Sequence, residues 1–170
     1  NQGTGGIVDV TAAGSLTVTR TVDVSGGGGD GGEFSVLVGD NIQINATINV
    51  DSSVGAGYGG FIDLTAGEDS LGGSATGGFV EVNGGSFLLR GSTTDQFGGD
   101  GGAVDILASG PIRFIGAGVA VRLDAGTNFD GSGGAMSLDS GDVSFHTLGP
   151  TDGDITVSGV ISMRCGNAGG

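Results

Sequence analysis

Asp63, Glu81 and Asp105 are the residues of this chain whose type and spacing could do chemistry. Each holds the fifth position of a recurring phrase: Gly59-Gly60-Phe61-Ile62-Asp63-Leu64, Gly77-Gly78-Phe79-Val80-Glu81-Val82 and Gly101-Gly102-Ala103-Val104-Asp105-Ile106. If these phrases stack as adjacent parallel strands, the three carboxylates form a ladder with steps of about 4.8 Å on one outward face. Like charges directly opposite one another destabilise a sheet. A divalent cation such as calcium, which takes oxygen ligands, relieves that repulsion. The competing expectation is a hydrated acidic face whose charges spread into solvent. Loss of melting temperature on chelation is the result that separates the two.

Other reactive side chains are few. His146 lies between Phe145 and Thr147, on the strand face opposite the apolar pair, and reads as solvent-facing rather than as a general base. Cys165 is the single cysteine, so no internal disulfide forms; a buried free thiol and a bridge to a neighbouring chain both remain open. No third group is evident to orient a Cys165–His146 pair. Glycoside chemistry needs two carboxylates across a sugar-binding cleft. The sequence signals no cleft, and its aromatic residues are Tyr58 and eight Phe, many at apolar strand positions. The expectation is a non-enzyme, with a polysaccharide-active enzyme as the alternative. The stretches Gly26 to Gly32 and Gly98 to Gly102 have the Gly-Asp composition of calcium-binding nonapeptides without their tandem period, and read as loops.

The elements that must position these residues are strands. The phrase that carries the acids also begins at Gly5, Gly31 and Gly133, and a degenerate seventh copy spans Asp152 to Val157. Seven copies in 170 residues indicate a repeat architecture in which each unit buries its apolar face against its neighbours. Within each copy the fourth and sixth residues are apolar, for example Val8/Val10 and Ile62/Leu64, and the fifth is polar. That period of two is a strand with one buried face. A second pair follows in most copies (Leu16/Val18, Ile42/Ile44, Phe87/Leu89, Ile112/Phe114, Val143/Phe145), and a third in the longer ones (Val22/Val24, Ile48/Val50, Val119/Val121). The copy starting at Gly59 has no clear second strand. The prediction is an all-β chain, a parallel β-helix or solenoid of about seven irregular rungs with Gly-rich loops, with residues 1–170 as one domain.

Composition narrows the partners. The chain has 41 Gly, five Arg, no Lys and 19 acidic residues, a formal net charge of -14. Regularly spaced Val, Ile, Leu and Phe exclude ordinary disorder, and two Pro without a Gly-X-Y period exclude collagen. Nucleic acid is not expected, because phosphate binding needs clustered cations. No apolar run suits a transmembrane helix, and an anionic membrane surface repels the chain.

The alternation of Gly-Gly-x-apolar-x-apolar with Gly-Asp-x-apolar-x-apolar, as from Gly133 to Phe145 and from Gly153 to Val160, resembles the right-handed β-helix repeats of large secreted bacterial surface proteins, the filamentous haemagglutinin-like and autotransporter adhesins. The resemblance implies export to the cell surface or beyond and use as a stalk, adhesin or matrix fibre. Gly166 to Gly170 have the composition of the loop that precedes each strand, so the chain ends in phase with its repeat. Two expectations follow: an excerpt of a longer solenoid, or a subunit that self-associates head to tail into a filament. An adhesin stalk, with surface glycans or a host cell surface as partner, is the alternative.

Overall fold

The computed structural model describes residues 3–52, 57–68, 71, 78–91, 99–116, 120–122, 135–140, 155–157 and 160–162. It is all-β among these residues, with parallel strands in three sheets, an arrangement compatible with a β-solenoid. The first sheet holds β1 (Ile7–Ala12), β4 (Glu33–Val38), β7 (Phe61–Ala66), β10 (Ala103–Ala108) and β13 (Ala135–Ser140), in that order. The second holds β2 (Leu16–Val18), β5 (Ile42–Ile44), β8 (Val80–Asn83), β11 (Ile112–Ile115) and β14 (Ile155–Val157). The third holds β3 (Val22–Asp23), β6 (Ile48–Asn49), β9 (Ser86–Leu88), β12 (Ala120–Arg122) and β15 (Val160–Ser162). The chain visits the sheets in the cycle first, second, third, so each circuit lays one layer on the last.

The alternation read from sequence aligns in register across these layers. Val8, Phe34, Ile62, Val104 and Met136 are successive partners in the first sheet, as are Val10, Val36, Leu64, Ile106 and Leu138. Ile42, Val80 and Ile112 align in the second sheet, and Ile48, Phe87 and Val121 in the third. All of these from Phe34 to Val121 whose side chains are described are buried and form one apolar core. Phe87 of the third sheet meets Phe114 of the second edge to face, with ring centroids 5.9 Å apart, and ties two walls of that core together.

The seven copies do not stack as one sheet. Each sheet has five strands among the described residues, and the copy at Gly77 is not the start of a circuit. Its strand, β8, is the second-sheet strand that the copy at Gly59 lacks, and it pairs with β5 and β11. Ile155-Thr156-Val157 of the degenerate copy likewise forms β14 in the second sheet. Phe87, expected in a second strand, belongs to the third sheet.

Backbone crowding explains why one dipeptide marks two places. Before the first sheet, a Cβ at Gly60 would lie 2.0 Å from the Gly32 carbonyl oxygen, and one at Gly102 would lie 2.0 Å from that of Gly60. At the bend from first to second sheet, a Cβ at Gly78 would lie 2.2 Å from the Asp40 carbonyl oxygen. Both corners bring neighbouring backbones too close for a side chain, so both select glycine. Gly84 and Gly116, next to each other where second-sheet strands end, take positive φ of 76° and 98°.

Candidate functional site

The predicted acidic ladder forms in part. Asp63 and Asp105 are direct partners on β7 and β10, and their row continues through Ser35 to Asp9 on one side and to Ser137 on the other. Glu81 is not in that row. It lies on β8 in the second sheet, between Gln43 and Arg113, because the Gly77 copy occupies a different corner. An arginine as cross-strand neighbour gives Glu81 an opposite charge where the ladder reading expected a like one. The proposed calcium set of Asp63, Glu81 and Asp105 is thus divided between two sheets, and among the described residues no group of three Asp or Glu side chains could hold a metal ion.

Where the two aspartates meet, Asp63 carries the effect. Burial on the sheet, then the charge of Asp105, then that of Glu33, push the Asp63 carboxyl above its ordinary value. Asp23, at the end of β3, goes the other way: the Ser25 hydroxyl at 2.7 Å and the Ser25 N–H at 3.1 Å donate to its Oδ1 and hold it low, with Asn49 Nδ2 adding a third bond at 3.1 Å.

A charged contact that the sequence reading missed joins two layers behind the third sheet. Asp51 is 7% exposed; its Oδ2 accepts from Arg90 Nε at 2.9 Å and also pairs with Nη2, while its Oδ1 accepts the Arg90 N–H. Gly26 N–H donates to the Asp51 carbonyl and Ser52 N–H to that of Arg90, so Ser25, Asp51 and Arg90 occupy equivalent places in successive layers. The sequence signal is the residue that follows each third-strand apolar pair: Ser25 after Val24, Asp51 after Val50, Arg90 after Leu89. It becomes visible only when Phe87/Leu89 is read as a third-sheet pair.

Among the described residues, the layer of β1, β2 and β3 leaves its core-facing apolar side chains partly open. Val8, Val10, Leu16, Val18, Val22 and Val24 face the core but are only partly buried, whereas their partners one layer on, such as Phe34, Val36, Ile42 and Ile44, are buried. Gly6 and Ala12 carbonyls accept from Glu33 and Gly39. Alternation along a parallel strand then turns the N–H groups of Ile7, Asp9 and Thr11 toward the other side of β1, where no strand lies among the described residues.

His146, Cys165, the Val143/Phe145 pair and the loop at Gly166 to Gly170 lie outside the described residues. No helix among the described residues is long and apolar enough to cross a membrane. No protein-family model, curated protein or solved structure matches the chain.

Proposed function

We propose that this chain is a structural element of an extracellular fibre or stalk, a right-handed parallel β-solenoid lengthened by further layers that add to the same three sheets. The observation that carries this reading is the layer of β1, β2 and β3, which offers half-buried core residues together with outward-turned backbone donors. Apolar area and unpaired strand edges are the two features that natural proteins either cover or use for assembly. All described strands are parallel, so a further layer, from the same chain or head to tail from another copy, continues the three sheets by simple translation along the stack. Such a head-to-tail contact is heterologous and does not close, which gives a filament. Adhesin-type repeats, which the sequence resembles, support placing it outside the cell. The same edge serves a stalk when the added layers belong to one long chain, and intact mass of the native protein separates fibre from stalk. This reading assigns the chain no catalytic role.

Electron microscopy and light scattering of concentrated protein test end-to-end assembly. The expected result is rods of several lengths that are multiples of one unit. Asp9→Pro removes an N–H turned away from β4, toward a side where no strand lies among the described residues, and should leave the strand signature in circular dichroism while abolishing rods. Particles that stay monomeric and short at every concentration would overturn self-assembly.

A further inference from the structure

An open groove of about 720 Å³ lies where the returning loops meet the first sheet. Ile7, Glu33, Phe61 and Ala103 line it and are successive partners on β1, β4, β7 and β10. The groove therefore runs across four strands, about 14 Å along the stack. A second row runs beside the first. Gly5 N–H donates to the Asp30 carbonyl, Gly31 N–H to that of Tyr58 and Gly59 N–H to that of Asp100, which places Asp30, Tyr58 and Asp100 in consecutive layers.

The two rows give a fixed pattern along the axis. Asp30 and Glu33 form one layer, Tyr58 and Phe61 the next, and Asp100 the third. Phe61 lines the groove and is partly exposed between the two acidic layers; Tyr58, 54% exposed, stands in the adjoining row outside the lining, and its N–H donates to Asp30 Oδ1 at 2.9 Å. Among the described residues that line the groove, Asp30, Glu33 and Asp100 are its charges and none is a cation. Asp30 and Asp100 are separated by two strand spacings, about 10 Å.

The backbone excludes one class of occupant. Glu33, Phe61 and Ala103 give their N–H groups to the Gly6, Gly32 and Gly60 carbonyls, and Gly31 and Gly59 give theirs to the adjacent row. An extended peptide added here would find none of these donors and could not bind as an extra strand. Recognition must come from carboxylates and from apolar ring faces.

We propose that the groove binds a linear polymer of amino sugars, with the apolar face of a pyranose on Phe61 and ammonium groups on the flanking Asp30, Glu33 and Asp100 layers. Carboxylate-to-ammonium hydrogen bonds are charge-assisted, and aromatic faces attract both C–H-rich ring faces and cations. The about 10 Å step between acidic layers suits the disaccharide repeat of an extended β-1,4-linked chain. This goes beyond a fibre or stalk role, since a glycan could decorate or cross-link such rods.

Titration calorimetry of the full chain with a β-1,4-glucosamine tetramer, in mildly acidic buffer where amines are protonated and carboxylates ionised, tests it. Binding should be seen, and the fully N-acetylated tetramer should bind at least about tenfold more weakly. The double variant Asp30→Asn, Asp100→Asn should lose about tenfold or more for the glucosamine tetramer while keeping the parent's strand signature in circular dichroism. Phe61→Ala should weaken the tetramer but leave spermine, used as a flexible polyamine probe, unchanged. Absence of binding, equal affinity for the acetylated tetramer, or equal affinity for spermine or tetralysine would overturn the assignment. None of these outcomes depends on whether the chain assembles end to end.

Discussion

Asp63 and Asp23 place opposite pH signatures on one molecule. The folded-state value of Asp63 is raised by burial, Asp105 and Glu33, so its proton binds more tightly folded than unfolded. The stability that proton contributes is complete below the unfolded carboxylate value and is lost as pH rises through the raised folded one. Asp63→Asn should therefore raise the melting temperature at neutral pH, and the gain should vanish as pH falls below the ordinary carboxylate range; a gain that persists in acid would refute the repulsion account. Asp23 is held low by Ser25, so its contribution is present above the unfolded value and fades as pH drops through the folded one. Arg90→Ala leaves Asp51 nearly buried without its guanidinium, and a loss of about 2 kcal/mol in denaturant unfolding is expected from the hydrogen bonds to a charged group alone. The side chain of Arg90 is 46% exposed, which keeps the loss below that of a fully buried pair. The pairing of Asp63 with Asp105 was legible because both follow the same first-sheet phrase. That of Asp51 with Arg90, 39 positions apart, depended on a layer count the sequence did not supply.

The Gly-Gly pair marks a corner between strands, and the price of a side chain there can be measured. Gly60→Ala would set a Cβ 2.0 Å from the Gly32 carbonyl oxygen and 2.8 Å from that of Val50. Both neighbours are backbone, so layers must shift, and a cost of about 3 kcal/mol is expected. Gly14→Ala is the control: nothing lies within 4 Å of its Cβ, and unfolding should change by about 0.5 kcal/mol or less. Equal effects of the two substitutions would remove the close-approach explanation. At this scale the sequence declared the alternating strands from β1 to β11, including β8, but not the sheet to which β8 belongs. Gly60 and Gly78 precede identical patterns, and the atoms that forbid their side chains, the Gly32 and Asp40 carbonyls, come from other layers.

Along the whole molecule, the stack is held by rows rather than by a globular centre. Val8 to Met136 and Val10 to Leu138 each run through all five strands of the first sheet. A layer covered on both sides buries its row, as Ile62 and Leu64 do, while the layer of β1 leaves Val8 and Val10 partly open. The fibre proposal is a consequence of that gradient, and loss of rods in Asp9→Pro with retained strand content is its direct check. The sequence by itself determined the alternating strands, the inward and outward residues of those whose side chains are described, and the acidic character of the chain, because a period of two and a charge count are local properties. Tertiary structure alone decided that three sheets share the strands, that Glu81 faces Arg113 instead of Asp63, and that Asp30, Tyr58 and Asp100 form one row. Those outcomes rest on how many residues leave at each corner before the next layer begins. A glycine reports that backbones come close without naming the strand that approaches.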